Sequence, residues 1–475
     1  MQYLIGIDGG SQSTKVVIFD AEGHIAAEAQ EPLKPLLLPQ EGVALHPEDD
    51  LWTSLAVACR KALGRFPGRP GDIVGAGLCT IRCCRAVLKE DGLLAHPVFS
   101  WMDLRLARPY EHVFPEAAYV TTTSGYITHR LTGRRRDTAA NYAGEWPIDY
   151  PAWNWSQDEE AYRRFNLPRN MLFDLVLPGA VLGTVTRAAA EATGLPEGLP
   201  VAATASDKAV EALGTGRLDR ETALVSLGTY ITAMVEGADF TDAARAYWTN
   251  LACRPHRYLY ESGGIRRGMS TVTWVRELMG EEVARRAEEA GLTPDNYLGR
   301  LAADIPAGSE GLLTVPDWLA PAEALYKRGL MIGFTGRHTG VHIYRSVLEA
   351  IALTMKGHSL AMAEELDRPL KKLIVSGGGS NGDLFMQIFA DVFNLPVSRT
   401  EINGAVSLGS AICAAVGTGL YGSFDEASAK MIRPRDTFRP DPARADLYAR
   451  LDEVYRRITG RTDEILKQAY AVFNP

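Results

Sequence analysis

The sequence predicts an α/β protein of two large domains, and three observations point there. A chain of 475 residues exceeds what one compact core holds, so about two domains are expected. Strand-like and helix-like patterns alternate along it. Two distant segments, 4–20 and 223–235, also share one plan: an apolar strand, a turn containing Gly with Ser or Thr, and a β-branched strand. This shared plan hints at an internal duplication.

The first element is an apolar run that ends at Asp8, and the turn Gly9-Gly10-Ser11-Gln12-Ser13-Thr14 leads into a second strand over 16–19. Glycines let backbone N–H groups approach a ligand, and hydroxyls add donors. With Lys15 as a cation, this turn suits a phosphate. Asp8 would repel that phosphate unless a Mg²⁺ ion sits between them, as in sites that combine one or two carboxylates with phosphate oxygens. The spacing is not that of a Walker A loop, and an ordinary polar hairpin is the alternative.

Residues 47–63 have helical spacing, with Pro47 placed for a first turn. A buried strand is expected over 73–79, a helix over 124–132 stopped by Gly133, and a strand over 199–205. A helix then runs from Asp207 to Leu213. An Asp where a strand passes into a helix is either a cap or a base that takes a proton from a hydroxyl held nearby. The polar stretch 236–246 suits a boundary, which divides the chain into domains 1–240 and 241–475. Beyond it are expected a long apolar helix over 342–366, a strand over 372–376, a helix over 383–393, a strand over 396–400, a helix over 406–416 and an amphipathic segment over 445–471.

The turn Gly377-Gly378-Gly379-Ser380-Asn381-Gly382 matches G-x-G-x-x-G after a strand, and Glu401 follows about twenty residues on. This pattern supports a rival function, an NAD(P)-dependent oxidoreductase. The adenosine of ATP would use the same turn equally well.

A net charge of −8 leaves no electrostatic footprint for nucleic acid or an anionic membrane. No run is long enough for a membrane span, and the start lacks the features of a signal peptide. Six cysteines in so long a chain do not make a disulfide framework. Cys79, Cys83 and Cys84 lack a zinc spacing and read as small buried residues of a cytoplasmic protein. His338 and His342 lack the H-E-x-x-H pattern of a metal site.

In order along the chain, these pieces resemble the FGGY carbohydrate kinase family, within the actin-like (ribonuclease H-like) ATPase fold. Trp101-Met102-Asp103-Leu104-Arg105 is similar to the family's W-x-D-x-R, and Leu131-Thr132-Gly133 with Asp137 to its L-T-G…D. Asp207 with Leu213-Gly214 resembles the catalytic aspartate and its following L-G, and Leu227-Gly228-Thr229 the second phosphate element. Gly377 to Gly379 with Gln387 and Ala390-Asp391 resembles the adenosine turn, and Gly329 to Glu349 nearly fits the second signature. Three places depart from the family: Ala205-Ser206 before the catalytic position with Lys208 after it, Phe334 within the signature, and the substrate strand Thr80-Ile81-Arg82-Cys83-Cys84-Arg85.

The resemblance implies two actin-like domains flanking an ATP/sugar cleft. The implied activity is ATP- and Mg²⁺-dependent phosphorylation of a small sugar, ketose or polyol. Asp207 would be the base and Asp8 the metal-side carboxylate. Gly10, Ser11, Gln12, Ser13, Lys15, Thr229, Gly268, Gly378, Gly379 and Asp383 would hold the nucleotide. Arg82, Trp101, Asp103, Asp137, Asp207 and Lys208 would face the sugar, with the Trp101 indole as an apolar platform. A homodimer is compatible with this reading, and a non-sugar actin-like ATPase is a second alternative.

Overall fold

In the computed structural model, which describes residues 1–474 except 143, 145, 217, 220, 322 and 323, the chain builds two sheets. The first contains β1 (Tyr3–Gly9), β2 (Ser13–Asp20), β3 (Ile25–Pro32), β4 (Ile73–Thr80), β5 (Val181–Thr184) and β6 (Pro200–Ala203) in the order β5-β6-β4-β1-β2-β3. β1 and β2 form an antiparallel hairpin, with Asp8 opposite Lys15, and β3 continues it antiparallel. β4 pairs parallel with β1, and β6 parallel with β4.

The second sheet contains β7 (Thr222–Leu227), β8 (Ile231–Gly237), β9 (Tyr247–Leu251), β10 (Tyr258–Ser262), β11 (Lys372–Ser376), β12 (Val397–Thr400) and β13 (Pro434–Phe438) in the order β9-β10-β8-β7-β11-β12-β13. Its centre repeats the first plan. β7 and β8 are an antiparallel hairpin, β10 adds antiparallel to β8, β11 is parallel to β7, and β12 is parallel to β11. The two look-alike hairpins of the sequence are therefore the equivalent strands of a duplicated unit. An antiparallel hairpin at the heart of each sheet also separates this fold from the parallel Rossmann sheet, although the Gly377–Gly382 turn does join a strand to a helix.

The helices that position the site are α1 (Asp50–Arg65), α2 (Thr123–Thr132), α3 (Asp207–Gly214), α4 (Gly268–Leu278), α5 (Gly340–Glu365), α6 (Asp383–Phe393), α7 (Ala405–Gly417) and α8 (Pro442–Phe473). α1 begins three residues later than Pro47 suggests, and α2 ends where expected, on Gly133 at φ +65°. Alternate residues of β1 face opposite cores: Leu4 joins the large core of the second lobe, while Ile5 and Ile7 pack with α1 and α2.

α7 comes from the C-terminal half but lies against the first sheet. Gly6 and Gly77 allow this. A Cβ on either would stand 1.8 Å from a carbonyl oxygen of α7, Ser407 O for Gly6 and Ser410 O for Gly77. Gly214 does the same for α3, where a Cβ would meet Ala405 O at 1.9 Å.

The polar stretch 236–246 connects β8 to β9 within one sheet, while the strands of the first sheet all precede α3 and those of the second all follow it. Among the described residues no helix is long and apolar enough to cross a membrane. Cys83 differs from the buried cysteine expected: it is exposed and left-handed, at φ +58°.

Candidate active site

Asp207 is the first residue of α3, directly after a strand of the first sheet. The capping role falls to its neighbour, since the Ser206 side chain accepts from the Ala209 N–H. The Asp207 carboxylate is therefore not the cap of α3. Its Oδ1 accepts from the Lys208 N–H at 2.9 Å and lies 3.6 Å from Arg82 Nε.

Asp8 ends β1 within the electrostatic reach of Asp207 and Glu211. Removal from bulk water, reinforced by those two carboxylates, pushes its pKa up to about 7, against the pull of Lys15 and Lys208. The floor of the site is therefore crowded with negative charge. Three clustered His, Cys, Asp or Glu side chains able to cage a metal by themselves are absent among the described residues. A Mg²⁺ that shares its ligands with phosphates needs only one or two carboxylates, and the Asp8 environment fits that role.

Glu211, one turn along α3 from Asp207, ties the two sheets together. It accepts from Ser226 Oγ of β7 at 2.8 Å, from Lys208 Nζ at 3.1 Å and from Ser376 Oγ of β11. Burial works to raise the Glu211 pKa, but Lys208 and the two serine hydroxyls outweigh it and hold the carboxylate below its ordinary value. Lys208 itself donates to Glu211 and Ser226 and lies beside Gly228. The Lys208 ammonium is thus held between the lobes, near the second hairpin turn and within reach of the charges of Asp207, Glu261 and Arg82.

The two hairpin turns present their tips. Ser11 and Gln12 are exposed, and the Ser13 hydroxyl accepts from Gln30 Nε2 at 2.6 Å. The Gly10 N–H is used inside the turn, donating to Ser13 O at 3.0 Å, so Gly10 shapes the cradle rather than donating from it. Lys15 Nζ pairs with Glu28 at 2.8 Å.

Thr229 is exposed at the tip of the second turn. Gly268 is buried, its N–H donates to Thr229 O at 2.8 Å, and a Cβ on it would strike Ile231. In that position it supports the turn.

The Gly377 turn packs directly on the second hairpin. Gly377 has φ +83°, and a Cβ there would meet Leu227 O at 2.5 Å. Gly378 faces open space, while Gly379 is buried against Leu227 and Met269. The outward-facing Asp383 carboxylate pairs with Arg399 at 2.6 Å. The buried Arg399 in turn donates Nη1 to Ser380 O, so the pair braces the glycine turn from behind.

On the sugar side, Arg82 leaves the end of β4 and reaches the second lobe. Its Nη1 donates to Glu261 Oε2 at 2.7 Å and its Nη2 to Glu261 Oε1 at 2.8 Å. Glu261, on β10, is fully buried, and its Oε2 also accepts from Trp248 Nε1 at 3.1 Å and Asn250 Nδ2 at 3.0 Å. Trp101 is 39% exposed, free to present its ring.

Asp103 accepts from Ala44 N, Arg105 N, Arg105 Nε and Arg105 Nη2, and Asp137 from Thr122, Ser124, Asn141 and the Thr138 N–H. A carboxylate offers about four acceptor positions, and each of these two fills them inside the protein. Asp103 organises the turn after Trp101, and Asp137 anchors the start of α2.

Sequence reasoning missed Glu211, Glu261, Trp248 and Asn250. The i, i+4 spacing from Asp207 carried a signal for Glu211. The other three lie on strands of the second sheet with no local mark.

Comparison with known proteins places these features in a family. The N-terminal domain of the FGGY family of carbohydrate kinases matches residues 3–113 and 85–214, and its C-terminal domain matches 223–418. The chain is 50% identical over 474 residues to the uncharacterized sugar kinase YgcE of Escherichia coli K12, covering 100% of this chain and 96% of that one. It resembles the crystal structure of a xylulose kinase from Rhodospirillum rubrum with a TM-score of 0.80 and 25% identity, over 98% of this chain and 100% of the other. The fold is also shared with a gluconate kinase from Lactobacillus acidophilus, at a TM-score of 0.82 and 20% identity over 97% of this chain and 98% of that chain.

Proposed function

The chain belongs to the FGGY family of carbohydrate kinases, and on that premise we propose that it moves the terminal phosphoryl group of ATP to a hydroxyl of a small ketose, xylulose- or ribulose-like, or of a polyol. One observation carries the assignment of the base. Ser206 caps α3, and the Asp207 carboxylate, which accepts from the Lys208 N–H, stands 3.6 Å from Arg82 Nε and within electrostatic reach of Asp8.

Asp207 accepts the proton of the attacking hydroxyl as that oxygen bonds to the phosphorus and ADP leaves. Ser11, Gln12 and Ser13 from the first turn and Thr229 from the second receive the phosphates, with Lys15 adding charge at the edge. The open backbone at Gly378 receives adenosine. Asp8 would hold Mg²⁺, which would offset phosphate charge and, in the same way, the carboxylate crowding that raises the Asp8 pKa. Trp101 supports the apolar face of the sugar. Closing the lobes excludes water and favours transfer over hydrolysis. Such an activity belongs in the cytoplasm, where ATP is available.

The test is a coupled ADP-release assay with ATP and Mg²⁺ across ketoses, polyols and sugar acids. Carbohydrate-dependent ADP formation is expected. ADP formation indifferent to every carbohydrate, alongside a thermal shift with ATP–Mg²⁺, would instead mark an ATPase that does not act on sugars.

A further inference from the structure

We propose that Glu261 sets the charge of the acceptor pocket: by occupying the Arg82 fork it makes the site take an uncharged sugar or polyol and turn away sugar acids. The proposal rests on the kinase function above and narrows its substrate class.

An arginine beside a catalytic carboxylate is the natural receptor for a carboxylate on the acceptor, because its planar fork matches that group in two parallel hydrogen bonds. Here the fork is already filled. Both terminal nitrogens of Arg82 donate to Glu261, at 2.7 and 2.8 Å, and Nε faces Asp207 at 3.6 Å. Glu261 is not a surface group that a ligand could push aside. It is fully buried in the second lobe, and Trp248 and Asn250 hold its Oε2 from the neighbouring strand β9.

Lys208 is committed too, donating to Glu211 and Ser226, while Lys15 stands at the edge in a partly exposed pair with Glu28. Against them stand Asp8 and Asp207. A carboxylate-bearing acceptor would have to break a buried pair or sit unpaired beside these two carboxylates. Either course costs far more than binding a hydroxyl, since breaking a buried pair leaves an uncompensated charge. Hydroxyls meet no such penalty, because they donate to Asp207 and accept from whatever N–H edge the guanidinium leaves open.

The arginine at position 82 works with a glutamate supplied by the opposite lobe. Its partner therefore lies 179 residues away in sequence, where inspection of the strand alone cannot find it.

The experiment compares polyols and ketoses with the corresponding aldonates, for example xylitol with xylonate and glucitol with gluconate, in the ADP-release assay. For the wild-type protein kcat/KM for the best neutral acceptor is expected to exceed that for the best aldonate by at least about 100-fold. Glu261→Gln frees the fork while keeping the side-chain shape, and is expected to narrow that ratio by at least about 10-fold, with tighter aldonate binding by calorimetry.

A wild-type preference for an aldonate overturns the proposal and leaves the kinase function standing. So does a Glu261→Gln protein that melts like wild type yet changes both acceptor classes equally. Absence of ADP release with every acceptor would count against the kinase function itself. The wild-type ratio decides the matter even where the variant does not fold.

Discussion

Replacing Asp8 by asparagine is expected to stabilise the ligand-free protein while removing its response to ATP–Mg²⁺. The Asp8 carboxyl has a pKa near 3.8 in an ordinary setting and about 7 in the folded protein. Below the lower value both folded and unfolded chains hold the proton, and Asp8 is neutral to stability. Between the two values the folded state keeps a proton that the unfolded state has lost, so stability falls as pH rises, and above about 7 the whole cost is present. A shift of about 3 units at roughly 1.4 kcal/mol each gives about 4 kcal/mol as a ceiling. Asp8 retains some contact with cleft water, and screening brings the figure to about 2 kcal/mol.

Asparagine carries no charge to confine. Asp8→Asn should therefore gain about 2 kcal/mol at pH 8 and under about 1 kcal/mol at pH 5. Urea midpoints at the two pH values measure the difference, and melting curves with and without ATP–Mg²⁺ measure the lost binding. A gain of equal size at both pH values, or a loss at pH 8, would refute the reasoning. So would a full ATP–Mg²⁺ shift in the variant.

Other predictions concern packing and charge. Gly77→Ala places a Cβ 1.8 Å from Ser410 O and forces α7 off the first sheet; a loss of about 3 kcal/mol by chemical denaturation is expected, and an unchanged midpoint would contradict the packing. Asp137→Ala strands four buried donors and should cost about 3 kcal/mol, while KM for the acceptor stays within about twofold, since this carboxylate is spent on α2. Lys208→Met removes the cation of the buried Glu211. It should destabilise the protein by about 3 kcal/mol and raise KM for ATP more than KM for the sugar; the reverse split would return Lys208 to the sugar side.

What was legible in the sequence is what local chemistry marks. The hairpin of β1 and β2, its repeat in β7 and β8, and the turn at Gly377 each carry glycine and hydroxyl signals within a few residues. Repetition of one hairpin plan then pointed to the duplicated sheets. Asp207 was legible as a residue at a strand-to-helix passage, but that Ser206 takes the cap there could be seen only in the structure. A motif position does not reveal how many donors surround a carboxylate, as at Asp103 and Asp137. A residue that braces a turn and one that touches a ligand leave the same trace in a sequence, and polarity marks a loop whether or not the sheet changes across it. Glu261 and its partners were out of reach, because their role exists only where two distant strands meet.

The central claim is that Asp207 is the base of a sugar kinase. The most direct measurement is carbohydrate-dependent ADP release by Asp207→Asn, beside its thermal shift with ATP–Mg²⁺. The variant is expected to fold and bind nucleotide as the wild-type protein does, with turnover lowered about 10³-fold. Phosphorylation at near wild-type rates by the asparagine variant would contradict it.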